Sequence, residues 1–203
     1  MPPTSRPLPR FIAEPPHELQ PYGRWEERLA TEFLTATGRL DLADLPSAES
    51  IAWHPQRTYG GVVYVPATAS LGNIELFGHV SFSAARDGEP GELSASVDYT
   101  DETAAANPDW RVDLNDEVIA PWLGPGTTRG DITLIWGSPL VAGAAVSTAE
   151  LDGETVDQCE IGADGRFTLI ALDAVTGFGD ELYVEVGLWN GKGELLASES
   201  LYE

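Results

Sequence analysis

The sequence predicts a mainly β protein, an antiparallel β-sandwich preceded by one amphipathic helix. After Gly38 the apolar residues alternate with polar ones at a period of two, which is typical of half-buried strands. Turn-forming runs separate these segments, and the chain contains 21 glycines and 15 prolines. A helical period is convincing in one segment only, near the N-terminus. With 203 residues the chain is long enough to bury a substantial core.

The first element is residues 1–16, which we predict to be an extended arm. Six of these residues are prolines, a composition typical of polyproline-like segments. Arg6 and Arg10 bring basic charge to an otherwise acidic chain, and Phe11 and Ile12 are apolar side chains without an obvious local partner. Phe11 and Ile12 can dock either on the body of the same chain or on a neighbour, and we predict that all four residues are partner contacts.

Residues 17–38 are predicted to form the amphipathic helix, with its periodic part starting near Tyr22 and ending at Gly38. The apolar stripe at helical spacing consists of Trp25, Leu29, Phe33 and Leu34. Such a stripe either covers the face of a sheet or recruits a partner. Trp25 completes the set of predicted partner contacts.

Eight later segments are predicted to be strands, because β-branched and aromatic residues alternate with polar ones in each. These segments are residues 60–67, 73–84, 91–99, 131–137, 143–151, 165–174, 181–189 and 194–202. The dipeptide Asn190-Gly191 between the last two predicts a tight hairpin.

Residues 60–100 and 164–203 share an order of features. Each has a Gly-led strand, a loop with alanine and glycine, a strand with Glu-Leu-aromatic, and a hairpin that leads into Gly-Glu-Leu. This order predicts two related β-units, at 46–105 and 128–203, joined by an acidic connector at 106–127. A single sandwich built from all eight strands is the alternative. The second unit resembles immunoglobulin-like and transthyretin-like modules in fold style, a resemblance that implies a sandwich and no particular function.

The charge of the chain restricts its partners. It has 33 acidic and 11 basic residues, a formal net charge of −22. This charge repels phosphate backbones and anionic lipid, so we expect neither nucleic-acid nor membrane binding. Cations and basic protein surfaces remain compatible with it. An acidic adaptation shared by a whole proteome is the other explanation.

Cysteine usage and the N-terminus predict a cytoplasmic location. Cys159 is the only cysteine, so no intrachain disulfide can form, which suits a reducing compartment. The N-terminal residues lack the apolar run of a signal peptide, and no stretch of eighteen apolar residues exists in the sequence.

Catalytic motifs are missing from the sequence. It has no nucleophile elbow, no phosphate-binding glycine loop and no zinc-ligand spacing. Cys159 lies among acidic residues, which disfavour a reactive thiolate. We therefore predict a protein that is not an enzyme and that needs no cofactor, with calcium as the one ion to consider.

The calcium prediction rests on the oxygen ligands of one short segment, Asp109, Asp113, Asn115, Asp116 and Glu117. The residue order of an EF-hand is absent from it. The interpretation we favour is a solvated connector with one packed apolar side. In that interpretation Val112 and Leu114 form a short strand, and Asp116 caps a brief helical turn through Ile119. Trp110, Ile119 and Trp122 hold the connector between the two units.

A second ligand site is predicted at Trp53, His54, Arg57 and Tyr59, where aromatic and polar side chains suit a sugar or another small ligand. Packing of these aromatic residues in the core is the alternative. A carboxylate-based hydrolase is the weakest hypothesis, since 33 acidic residues always provide some suitably spaced pair.

These features together predict a non-enzymatic structural or protein-interaction component of a larger assembly. It would dock through its arm and helix, on a protein partner or on copies of itself. The alternative function is a carbohydrate- or small-ligand-binding module, either with or without dependence on calcium.

Overall fold

The computed structural model describes residues 25–84, 90–177 and 181–201. The predicted arm at 1–16, with Arg6, Arg10, Phe11 and Ile12, lies outside these ranges, as does the first part of the predicted helix. Within them, no helix has the length and apolar character needed to cross a membrane.

One α-helix, one 3-10 turn and twelve strands make up the described chain. The helical elements are α1 (Glu26–Thr37) and the turn at Ala48–Ser50. The strands are β1 (Ile51–Trp53), β2 (Arg57–Tyr59), β3 (Val62–Leu71), β4 (Ile74–Ala84), β5 (Pro90–Thr100), β6 (Val112–Leu123), β7 (Arg129–Pro139), β8 (Ala144–Leu151), β9 (Glu154–Glu160), β10 (Phe167–Thr176), β11 (Val184–Asn190) and β12 (Leu195–Ser200). The predicted mainly β class with one helix is confirmed.

The strands form three antiparallel sheets. Sheet A has the order β1-β3-β4-β5, with β2 also pairing with β3. Sheet B has the order β10-β7-β6, and sheet C has the order β12-β11-β8-β9. All eight predicted strands are found, and the Asn190 hairpin is confirmed by the backbone N–H groups of Lys192 and Glu194, which donate to Asn190 Oδ1 at 2.8 and 3.0 Å.

Helix α1 covers one face of sheet A. Leu29 and Phe33 are buried on this face together with Val65, Leu76 and Val80 of the sheet. The apolar stripe therefore packs on a sheet, which was one of its two predicted roles. The N–H of Gly38 donates to the carbonyl of Leu34 at 2.9 Å and ends the helix where the sequence predicted.

Sheets B and C share a second and larger core. Trp136 and Leu169 of sheet B and Leu151, Val186 and Leu188 of sheet C are fully buried in it. Tyr64 of sheet A belongs to the same core, so the face of sheet A opposite α1 packs on sheet B. Each face of sheet A thus packs on another layer over part of its area, and burial of apolar area in the two cores is the main stabilising term of the fold.

The acidic connector is different from the prediction. Residues 112–123 form strand β6, which pairs with β7 along its whole length, and no helical turn begins at Asp116. A bulge between Val118 and Ala120 interrupts the alternation of the strand. Trp110 is 36% exposed, whereas Ile119 and Trp122 pack against the larger core, so only two of the three expected contacts hold the segment in place.

The predicted likeness of the two β-units does not extend to their topology. Strands β3, β4 and β5 are successive neighbours in sheet A. The corresponding strands of the second unit are divided, because β10 belongs to sheet B while β11 and β12 belong to sheet C. Similar strand and hairpin signals therefore specify a single meander for β3 to β5, but a chain that crosses from sheet B to sheet C for β10 to β12.

A buried arginine joins the three sheets. Arg57 of β2 is 3% exposed, and its Nε donates to the carbonyl of Thr168 on β10 at 2.8 Å. Its other guanidinium contacts lie on β9, where one nitrogen is 3.1 Å from the carbonyl oxygen of Gln158 and 3.8 Å from Asp157 Oδ2. Asp157 in turn accepts the backbone N–H of Ile170 at 2.8 Å. The edges of sheets B and C are thus connected to each other and to sheet A.

We expect Arg57→Met to lower the free energy of unfolding by about 3–5 kcal/mol, because it leaves the Asp157 carboxylate buried without its cation. Adding Asp157→Asn should recover part of this loss, since an amide keeps an acceptor for Ile170 without a charge. Urea unfolding followed by tryptophan fluorescence measures both effects. The control is Arg39→Met, an exposed position where the change should stay within about 0.5 kcal/mol. Equal stability of Arg57→Met and the control would contradict this role for Arg57.

Candidate functional site

A row of polar side chains lies between sheets A and B, and we call it the acidic seam. It consists of Glu75 and His79 from β4 and Asp113, Asn115 and Glu117 from β6. Successive residues of a strand point to opposite faces, so odd-numbered positions of both strands meet in this layer. The apolar even-numbered positions Leu76 and Val80 face α1 instead.

His79 and Glu117 form the central contact of the seam. His79 Nδ1 lies 2.9 Å from Glu117 Oε2, and the carboxylate also accepts a hydrogen bond from the Ser96 hydroxyl on β5. Burial alone would raise the pKa of Glu117, but these bonds and the charge of His79 outweigh it and hold the pKa below its ordinary value. Glu117 is therefore ionised, and His79 donates to it through Nδ1. The His79 ring also meets Tyr64 edge to face, with centroids 5.3 Å apart.

Glu75 and Asp113 form the second contact of the seam, and here two acids face each other. Burial and, to a smaller extent, the nearby charge of Asp113 raise the pKa of Glu75 to about 7, against the opposing effect of a hydrogen bond from the Asn115 amide. Burial also raises the pKa of Asp113. Both groups resist ionisation, because burial disfavours their charged forms, and for Glu75 the charge of Asp113 adds to this effect.

A further carboxylate lies on the other face of β6. Burial raises the pKa of Asp116 to about 6, and the charges of Asp173 and Glu117 contribute in the same direction. Asp173 of β10 is fully buried, and its Oδ1 accepts the backbone N–H of Val184 at 2.7 Å. Asp173 therefore has a structural role in tying β10 of sheet B to the start of β11 in sheet C.

The structure brings together three of the five predicted calcium ligands. Asp113, Asn115 and Glu117 lie on the seam face of β6, while Asp116 lies on its opposite face and Asp109 precedes the strand. The prediction assumed a tight loop, and a strand separates alternate side chains instead. Within residues 25–84, 90–177 and 181–201, no group of three or more His, Cys, Asp or Glu side chains is arranged to hold a metal ion.

The predicted sugar-binding residues lie together in and beside β1 and β2, but they are largely buried. Trp53 is 5% exposed and packs edge to face on Phe33, with ring centroids 6.1 Å apart. His54 is 2% exposed, and burial, aided by the charge of Arg166, lowers its pKa to about 3. Arg57 is the buried link described above, and Tyr59 packs against the larger core. A stacking platform needs an exposed ring face, which Trp53 does not offer.

The sequence pattern did not identify Glu75 and His79 as site residues, because both lie in β4, which has the ordinary alternation of apolar and polar residues. A usable signal is present in the sequence, however. Glu75, Phe77, His79 and Ser81 fall on one face of β4, and three of these four are polar in a strand whose other face is apolar. A polar face that packs under another sheet is unusual, but only the topology reveals that β6 covers this one.

The chemistry available to the seam is recognition of positive charge. Glu117 is ionised and 30% exposed at its side chain, and Ser96 and Asp98 beside it on β5 are exposed. Basic groups can therefore reach an anionic surface flanked by hydroxyls. His79 already donates to Glu117, and the Ser96 hydroxyl bonds the carboxylate and not the imidazole, so the arrangement does not activate a nucleophile.

We expect the protein to be more stable at pH 5 than at pH 8. The pKa of Glu75 in the folded state, about 7, is above the ordinary value of 4.5, so the folded state binds the extra proton and its stability falls as pH rises from about 4.5 through 7. Glu75→Gln removes this term while keeping an acceptor for Asn115. The variant should be about 1 kcal/mol more stable than the natural chain at pH 8 and indistinguishable from it at pH 5.

Urea unfolding at the two pH values tests this expectation, with Glu92→Gln at an exposed position of β5 as the matched control. A gain for Glu75→Gln that is the same at both pH values would show that the effect does not come from ionisation of Glu75.

No protein-family model, no curated protein and no solved structure matches the chain.

Proposed function

We propose that this protein is a non-enzymatic structural or protein-interaction component of a larger cytoplasmic assembly, docking through its N-terminal arm and helix. Its body would be an immunoglobulin-like or transthyretin-like β-sandwich, with sheets B and C as the two layers. The partner is another protein or a further copy of the chain. Neither nucleic acid nor a membrane fits the net charge of −22.

The observation that carries the proposal is the anchoring of α1. Leu29 is 1% exposed and Phe33 is fully buried, so the helix is fixed to sheet A and its first turn is a defined point on the body. Trp25 stands at this point, half-buried, with the Arg28 guanidinium 5.0 Å from the centre of its ring. This end of the helix thus presents an aromatic and a basic group, both of which favour protein interfaces.

Charge supports the same assignment. Three of the eleven basic residues, Arg6, Arg10 and Arg24, lie in the first 24 positions, where only Glu14 and Glu18 oppose them. The rest of the chain is strongly acidic. A basic segment attached to an acidic body can bind an acidic partner surface, including the body of a second copy.

The alternatives rank lower for physical reasons. A carbohydrate- or small-ligand-binding module would use Trp53, His54 and Arg57, which are buried. A carboxylate-based hydrolase would need two accessible carboxylates facing one substrate, and of the pair Asp116 and Asp173 the second is fully buried.

We expect the variant Arg6→Glu/Arg10→Glu/Phe11→Ser/Ile12→Ser to recover at least about tenfold less partner than the natural chain. Loss of a few central interface contacts lowers binding affinity by this factor or more. The measurement is a pull-down from lysate of the source cells combined with sedimentation of the purified chain to detect self-association. The full chain is used throughout, because a version starting at Gly38 would remove Leu29 and Phe33 from the core.

The matched control is Arg39→Glu/Arg129→Glu, which makes the same charge change at two exposed positions of the body. Equal recovery of a specific partner by the arm variant and by this control would overturn the proposed docking mode.

A further inference from the structure

The three sheets have edges that differ in how they are protected against pairing with another chain. The β6 edge has a bulge after Val118, a proline at Pro121 and several acidic residues, and the β12 edge is six residues long with a register shift opposite it. Devices of this kind prevent strand addition. Strand β5 is eleven residues long and pairs without a shift from Leu93 to Thr100. Residues 93–97 contain neither a charge nor a proline.

Contacts between β4 and β5 show which backbone groups of β5 point toward β4 and which point outward. The Ser94 carbonyl accepts the Ser81 hydroxyl of β4 at 3.4 Å, and the Ser96 carbonyl is so close to Gly78 of β4 that a Cβ there would collide with it. Ser94 and Ser96 therefore face β4 with their backbone groups. In an antiparallel pair the alternate residues face the other way. The N–H and C=O groups of Leu93, Ala95 and Val97 thus point to the open edge.

In the described part of the chain, a contact that closes this edge is found only at its end. The backbone N–H of Tyr99 donates to Asp98 Oδ1 at 2.8 Å. Among the described residues, β4 is the only strand with which β5 pairs. An unpaired row of backbone donors and acceptors is a template for one more strand.

The two faces beside this edge differ in chemistry. On the α1 side, Leu93, Ala95 and Val97 are partly buried against the smaller core and present an apolar margin. On the β6 side, Ser94, Ser96 and Asp98 are exposed, and Ser96 bonds the Glu117 carboxylate. Side chains of an added strand alternate between these two faces. The complementary strand therefore has apolar residues at every second position and basic residues between them.

We propose that β5 is a docking edge for an extended segment of a protein partner in which apolar and basic side chains alternate. The segment adds to sheet A as a further antiparallel strand beyond β5. This edge belongs to sheet A and uses backbone groups of β5, whereas the proposed function rests on Trp25 and the residues that precede it in the sequence. Charge favours a different protein over a second copy of this chain as the occupant. Pairing of β5 with β5 of another copy would bring Glu92 and Asp98 against the same acids of that copy.

The probe is a blocked eight-residue peptide of alternating lysine and valine, titrated into the full-length protein. The comparison peptide has the same composition arranged as a lysine block and a valine block. We expect the alternating peptide to bind at least about tenfold more tightly, since only it presents one basic and one apolar face to the edge. Bound peptide should slow hydrogen exchange at the amides of Leu93, Ala95 and Val97 and leave Ser94 and Ser96 unchanged.

Two variants test the edge itself. Ala95→Pro deletes an outward N–H without removing a bond to β4, and Ser96→Lys repels the basic face of the peptide. Each should weaken binding at least about tenfold, whereas Ser198→Lys at an exposed position of β12 should not. If Ala95→Pro fails to fold, Ser96→Lys decides the matter.

Equal affinity for the two peptides, absence of binding by the alternating peptide, or unchanged affinity in Ser96→Lys would each overturn the proposal. The first of these results would show attraction to the net charge alone. The arm variant Arg6→Glu/Arg10→Glu/Phe11→Ser/Ile12→Ser should bind the alternating peptide normally, so the result is independent of whether the arm docks on a partner.

Discussion

The buried link between Arg57 and Asp157 is the constraint on which the arrangement of the sheets depends. Arg57 donates to backbone carbonyls on both β10 and β9, and Asp157 accepts a backbone N–H from β10. Unpaired backbone groups at a buried edge cost several kcal/mol if they are left without partners. The side chains of Arg57 and Asp157 thus provide hydrogen-bond partners for backbone groups at the edges of β9 and β10. Without them, these groups would have to pair with a further strand. The same contacts fix β2 of sheet A against β9 and β10 and so set the distance between sheets A and B.

That distance explains the unusual electrostatics of the acidic seam. Sheet B lies over a polar face of sheet A. Acids that would ionise normally on an exposed surface are therefore brought together in a partly desolvated layer. Glu117 is stabilised there by His79 and Ser96, whereas Glu75 meets Asp113 and resists ionisation. An acidic adaptation of the whole proteome accounts for exposed carboxylates. It does not account for carboxylates at positions where burial opposes their charge.

Much of the fold could be predicted, and the errors have physical causes. Eight strands and the end of α1 follow from local periodicity and from turn residues, which are properties of short segments. Strands β1 and β2 are three residues each, too short to show a period, and β9 was hidden by its many polar residues. Strand β6 was mistaken for a connector because its acids face the seam, where a local pattern predicts apolar residues.

The site was harder to predict than the fold for a related reason. Asp113, Asn115 and Glu117 were selected as a group because they are close in sequence, and alternation along a strand does keep them on one face. Their actual neighbours, Glu75 and His79, are about forty residues away and reach them only through the stacking of two sheets. Long-range pairing of this kind leaves no trace in the local composition. Trp53, His54 and Arg57 show the converse case, in which a conspicuous local cluster is buried, with Trp53 packed on α1 and Arg57 joining the sheets.

The long sequence separation within the Arg57 link has a consequence for synthesis of the chain. The helix and the meander β3-β4-β5 are complete by Thr100, but the acceptor of Arg57 on β10 lies 111 residues after it. At translation rates of about 5–20 residues per second, Arg57 waits roughly 5–20 s for Thr168 to be made. During that interval the polar face of sheet A is hydrated, and its acids can hold their charge at no cost. We therefore expect the seam to form late, when sheets B and C are complete and dock onto sheet A.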